Sequence, residues 1–186
     1  MAAPSGIRAV LFDRDGTLIV DVPYNGDPAL VAPMPGAVAA VRLARAAGLD
    51  VAVVSNQSGI GRAILTRAQV EAVNTRVDEL VGPFDVWAYC PHAETDGCEC
   101  RKPAPGLVLR ACDALGVTPA EVVVIGDIGA DIDAARAAGS SGVLVPTPAT
   151  RAREVADAET VAPDLRAAVD LVLRAHGLAP ADGVQR

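Results

Sequence analysis

Two carboxylates lie two positions apart in Leu11-Phe12-Asp13-Arg14-Asp15-Gly16-Thr17, directly after the apolar run Ile7 to Phe12. At the exit of a strand, extended geometry sends both side chains the same way until the chain turns at Gly16. Acids this close repel. A hard divalent cation such as magnesium relieves the repulsion by taking oxygen ligands, and leaves one carboxylate as a nucleophile. Taken alone, the pair is equally the composition of a solvated acidic turn.

Three further stations decide between the two. Ser55-Asn56-Gln57-Ser58 follows Val53-Val54 with a hydroxyl and amides, donors suited to phosphoryl oxygens, although a helix cap has the same composition. Lys102 is the only lysine in the chain, and a point cation there can offset charge on a nucleophile and a transferring phosphoryl group. Gly126-Asp127 ends another apolar run, which suits Asp127 as a magnesium contact with Asp131 as its support. Cys90-Pro91-His92 and Cys98-Glu99-Cys100 supply four ligands of the type and spacing of a tetrahedral zinc, against the alternative of free thiols and a core histidine. Four protein ligands leave no open position, so such a zinc staples the loop before Arg101 and Lys102 rather than catalysing. Cys112 reads as core.

The elements that must position these residues alternate. Strands are expected at Ile7–Phe12, Leu49–Val54, Phe84–Tyr89, Glu121–Ile125 and Gly142–Val145, with a weak one at Thr160–Ala162. Between them fall helices from Pro35 to Gly48, from a Thr66 cap to about Leu80, Pro105–Leu115, Ala130–Ala138 and Asp164–His176. Repeated βαβ units make an α/β, doubly wound, Rossmann-like parallel sheet with its site at the strands' carboxyl ends. Leu18 to Met34 is too short for a large cap domain, so the site is open.

Composition bounds the rest. The 186 residues are 51% apolar but only 3% aromatic, so the core is aliphatic, and the length fits one domain, 1–178, with a flexible tail at 179–186. A formal charge of −7 argues against nucleic acid or anionic membrane as partners. No basic N-terminal patch or long apolar span is present, so a cytoplasmic protein is expected, with a monomer favoured.

The ordered set DRDGT, SNQSG, RKP and GDIGAD resembles the haloacid dehalogenase superfamily of phosphohydrolases, over Asp13 to Asp131. The resemblance implies that Asp13 is the nucleophile and Asp15 the acid/base. It places magnesium on Asp13, the Asp15 carbonyl and Asp127, and phosphoryl stabilisation on Ser55 and Lys102. A zinc loop before Arg-Lys-Pro is similar to two sister families, the heptose bisphosphate phosphatases and the histidinol-phosphate phosphatases. The five-residue gap between His92 and Cys98 looks more like the second, whereas Asp21-Val22-Pro23-Tyr24 and Ser-Asn-Gln-Ser-Gly-Ile-Gly-Arg look more like the first. The first is preferred, with a small phosphorylated sugar or alcohol as substrate. Its substrate contacts then map to Asp21, Tyr24, Ser55, Asn56, Gln57, Ser58, Arg101 and Lys102, with Arg62 a lesser candidate. Ile128 stands where that family commonly has Lys, which leaves the sugar and its anomer open. A phospho-aspartate receiver domain would need its acidic pair on a different strand from the acceptor. A non-catalytic sugar-phosphate binder would be expected to lack at least one of Asp13, Asp15, Lys102 or Asp127, and all four are present.

Overall fold

The computed structural model describes residues 6–179 of the 186. Five strands, β1 (Ala9–Phe12), β2 (Asp50–Asn56), β3 (Val86–Cys90), β4 (Val122–Gly126) and β5 (Ser141–Leu144), form one sheet in the order β3-β2-β1-β4-β5. Every pairing is parallel. β1, β2 and β4 read as near-continuous Val, Ile, Leu and Ala because helices cover both faces. On one face Val10, Phe12, Val51, Val53, Val123 and Ile125 pack with α1 (Ala37–Ala46), α2 (Arg67–Val81) and α6 (Leu165–Ala175). On the other, Ala9, Leu11, Ala52, Val54, Val122 and Val124 meet α3 (Gly106–Leu115) and α4 (Gly129–Ala138).

The order reverses at β1, so the crevice at the carboxyl ends of β1, β2 and β4 is the switch point where ligands bind in such sheets. Asp13 directly follows β1, Ser55 and Asn56 close β2, and Asp127 directly follows β4. Thr66 caps α2 in a reciprocal box with Gln69, and Asp164 caps α6 through the Ala167 N–H.

Elements depart from expectation mainly at their ends. β2 runs on through Ser55 and Asn56, whose backbones still pair with Tyr89 and Cys90 while their side chains bond to Gln57 and to the Lys102 backbone. The strand expected at Thr160–Ala162 is a single bridge, Leu144 to Val161. A short helix, α5 (Ala152–Asp157), was not expected, and it buries no residue and so has no apolar periodicity to read. Between β1 and α1 lie a 3-10 turn at Pro28–Leu30 and isolated bridges from Asp15 to Ile19 and from Ile19 to Pro33, so no large cap is present among the described residues. The expected tail at 179–186 lies, from 180 on, outside the described residues.

Candidate active site

Lys102 reaches the centre of the crevice. Its Nζ donates to Asp13 Oδ1 at 2.6 Å and the Val54 carbonyl at 2.7 Å, and pairs with Asp131 Oδ1 at 2.6 Å. The residue is 4% exposed. Burial alone would pull the ammonium's pKa down, but the two carboxylates outweigh it and the net shift is upward. The backbone holding it is fixed by Asn56, whose side chain donates to the Lys102 carbonyl and accepts from its N–H. Asn56 therefore anchors the lysine rather than facing a ligand alone.

Asp13, Asp127 and Asp131 place carboxylate oxygens within 4.8 Å of one another, all buried, around this single ammonium. Burial raises the Asp13 pKa well above the usual carboxylate range, and Asp131, Asp15 and Asp127 add to it against Lys102. Burial, then Asp131, pushes Asp127 up to about 7. Three buried acids with one counter-cation are short of positive charge, and all-oxygen donors suit a hard divalent ion. The donor set fits magnesium. Gly16, at φ +81°, lets the β1 loop lie against Asp127, since a Cβ there would collide with that carboxylate. Thr17 Oγ donates to Asp127 Oδ1 and Thr150 Oγ to the Asp127 carbonyl, so Asp127 is held from two loops. The expectation that Asp131 supports Asp127 needs amendment: its oxygens go to Lys102 and, at 3.3 Å, the Ile128 N–H.

Asp15 takes a different cation. Both its oxygens accept from Arg14 Nε and Nη2 at 3.0 to 3.2 Å, and Gln57 Nε2 donates to Oδ2 at 2.9 Å. Gln57 also donates to the buried Ser55 Oγ at 2.8 Å. The acid pair is thus divided, Asp13 on Lys102 and Asp15 on Arg14. Asp15, Asp21, Tyr24, Asn56, Gln57 and Ser58 line one cavity of about 180 Å³. Most of the expected substrate positions are therefore contiguous. Arg101 is set apart from that lining: its Nη2 donates to Glu94 at 2.9 Å, while its buried Nη1 has no partner among the described residues. Arg62 reaches both Tyr24 OH, at 3.1 Å, and Glu94, at 3.7 Å.

The cysteine loop is assembled as a ligand cage. Cys90, His92 Nδ1, Cys98 and Cys100 approach one another at 3.1 to 3.6 Å. A tetrahedral zinc with bonds of about 2.0–2.3 Å has edges of roughly 3.3–3.8 Å, so the cage is close to the size of such a site, with its two shortest edges slightly contracted. The loop is zipped to the end of β2 by Gln57 N–H to Cys90 O and Gly61 N–H to Pro91 O, both 2.7 Å. A Cβ at Gly61 would collide with that backbone.

Sequence reasoning missed Arg14, Asn74, Thr17, Thr150 and Glu94. Asn74 left a signal: it sits on the apolar stripe Val70, Val73, Val77 of α2, a polar residue on a buried face. Arg14 left none, since an arginine between two acids reads as a solvated charge.

Comparison with known proteins accords with this geometry. The family model for haloacid dehalogenase-like hydrolases matches residues 24–139. A D-glycero-β-D-manno-heptose-1,7-bisphosphate 7-phosphatase of Pseudomonas aeruginosa is 38% identical over 74% of this chain and 80% of its own. This chain belongs to the haloacid dehalogenase-like hydrolases. The enzyme of the same name from Escherichia coli K12 is 36% identical over 76% of this chain and 80% of its own. Among solved structures, a D,D-heptose 1,7-bisphosphate phosphatase from B. bronchiseptica, complexed with magnesium and phosphate, superposes with a TM-score of 0.80 at 28% identity, covering 91% of this chain and 99% of that one. A haloacid dehalogenase-like phosphatase from Mesorhizobium loti gives 0.71 at 32% identity, covering 91% and 88%. Its place in the family fits the uncapped parallel sheet. No helix among the described residues is long and apolar enough to cross a membrane.

Proposed function

We propose that this protein is a magnesium-dependent phosphatase that removes the 7-phosphate of D-glycero-β-D-manno-heptose 1,7-bisphosphate through a phospho-aspartate on Asp13. The observation that carries the reading is the division of the acid pair. Asp13 is buried at the switch point with Lys102, and Asp15 faces the cavity in the fork of Arg14. One carboxylate is set up to attack and the other to move protons. The relatives' shared activity supports the substrate.

The chemistry proceeds in two halves. A carboxylate oxygen of Asp13 attacks phosphorus and the ester bond breaks, with Asp15 giving its proton to the departing sugar oxygen. Asp15 then takes a proton from water as that water attacks the acyl-phosphate, which frees Asp13 and phosphate. Lys102 offsets charge on Asp13 and the phosphoryl group, and the Ser55 hydroxyl is assigned to the phosphoryl oxygens as a further donor. Bound magnesium would be held by Asp13, Asp127 and the Asp15 carbonyl and would neutralise phosphoryl charge. Zinc in the four-ligand cage would be structural, fixing the segment that carries Arg101 and Lys102.

Asp21, Tyr24 and Ser58 line the cavity and are assigned to the sugar. Arg101, with one buried donor unpartnered, is assigned to the second phosphate, which a planar multi-donor cation suits. The test is phosphate release with magnesium from both heptose bisphosphate anomers, histidinol phosphate and several sugar monophosphates. A kcat/KM preference for the β anomer of about a hundredfold, roughly 2.7 kcal/mol, is expected. A preference for histidinol phosphate would refute the heptose assignment and give weight to the zinc-loop spacing.

A further inference from the structure

Arg14 is among the largest fully buried side chains of the protein, 2% exposed. A guanidinium in such a place must have every donor face satisfied. Nε and Nη2 fork the Asp15 carboxylate, and Nη1 donates to Asn74 Oδ1 at 2.7 Å. Asn74 is itself buried, 8% exposed, in the middle of α2. Asparagine is a poor helix former there, and on a stripe of valines it gives up apolar contact as well. Its cost is offset by the charged donor it receives.

We propose that Arg14, braced by Asn74, is the positioning residue for Asp15, holding that carboxylate in the orientation from which it exchanges protons with the leaving oxygen and then with water. The proposal rests on the reading of Asp15 as acid/base. A planar fork binding both oxygens fixes the carboxylate plane as well as its position, which a single contact cannot do. Neighbouring side chains in an extended strand point to opposite faces, and residues 14 and 15 pair where the chain has already left β1, with the Leu18 and Ile19 N–H groups folding back to the Arg14 carbonyl. Gln57 holds Oδ2 from the opposite loop, and leaves the fork as the contact that sets rotation. Helix α2 thereby acts on the geometry of a proton-transfer group through the Arg14 guanidinium.

The test compares a poor leaving group, a sugar phosphate, with a good one, p-nitrophenyl phosphate, whose departure needs no proton. Arg14→Met, Arg14→Lys and Asn74→Ala are measured beside Asp15→Asn and wild type, with magnesium, by steady-state and rapid-mix phosphate and nitrophenol release. For Arg14→Met, kcat on the sugar phosphate should fall about a hundredfold with KM within threefold, the size of a lost general acid. Nitrophenol should still appear in a fast burst, followed by slow hydrolysis of the acyl-phosphate. Asn74→Ala should show the same pattern at roughly a tenth of the effect, and Arg14→Lys should not restore the rate, because an ammonium cannot fork a carboxylate. Equal losses on both substrates without a burst in folded Arg14 and Asn74 variants, while Asp15→Asn shows the burst, overturn the proposal. If Asp15→Asn shows no leaving-group dependence either, the acid/base reading itself falls, and the positioning role with it. Should Arg14→Met fail to fold, Arg14→Lys and Asn74→Ala carry the same comparison.

Discussion

Lys102→Met is the most informative single change, because it removes the one cation from a group of three buried acids while nearly keeping the side chain's length. In the wild type the ammonium contacts Asp13 and Asp131 at 2.6 Å each, and its upward pKa shift says that these attractions exceed its cost of burial. Breaking a buried ion pair by removing one partner costs about 3–5 kcal/mol, since the other charge is left uncompensated. In a domain of this size 1 kcal/mol moves Tm by about 2–4 °C, so a loss of about 6–20 °C is expected in metal-free buffer. The loss should be larger at pH 8 than at pH 5.5, where a proton on one acid can replace the lysine's charge. Catalysis should fall further than stability explains, by about 10²–10³ in kcat/KM, the usual effect of removing one preorganised donor to a transition state. Calorimetry with and without magnesium, beside a phosphate-release assay, reads both quantities. A Tm within about 3 °C of wild type together with activity within tenfold would refute the assignment of Lys102 as the charge centre of the site.

Two further outcomes follow from the site's charges and thiols. Asp127, pushed up to about 7 by burial and then Asp131, and Asp13, raised chiefly by burial, keep protons in the folded state that the unfolded chain has lost. The folded metal-free protein therefore loses stability as pH rises from the ordinary carboxylate range to about 7, and magnesium, which displaces those protons, should raise Tm more at pH 8 than at pH 5.5; a gain that is flat or shrinks with pH contradicts this. Elemental analysis should find about one zinc per chain, lost in Cys98→Ser, with a lower Tm and reduced kcat/KM because the loop bearing Arg101 and Lys102 loosens. Full stability and activity in a zinc-free protein would refute the staple.

The strand ends were legible because a parallel sheet buried on both faces must be written in unbroken aliphatic runs, and the polar residue that ends each run stands at the crevice. Asp13, Ser55 and Asp127 could be placed in that way. Cys90, His92, Cys98 and Cys100 were legible because metal ligation demands rare residue types at close spacing. What could not be read were the partnerships across sequence. Nothing near Asp131 says that it pairs with Lys102, which arrives from another loop, and Arg14 finds Asn74 sixty positions away. Glu94 was equally hidden, since its link to Arg62 and Arg101 depends on how the cysteine loop folds over Gly61. Exposed α5 buries no residue, so no hydrophobic period marked it.

In the proposed reaction phosphate passes through Asp13. The most direct test is Asp13→Asn, assayed for phosphate release with magnesium and for acyl-phosphate by rapid quench and peptide mass spectrometry, with thermal unfolding measured on the same sample. The variant should fold, turn over at least about 10³-fold more slowly and carry no label, while wild type quenched during turnover carries phosphate on the peptide that contains Asp13. Appreciable turnover by the folded variant, or label on another residue in wild type, would contradict it.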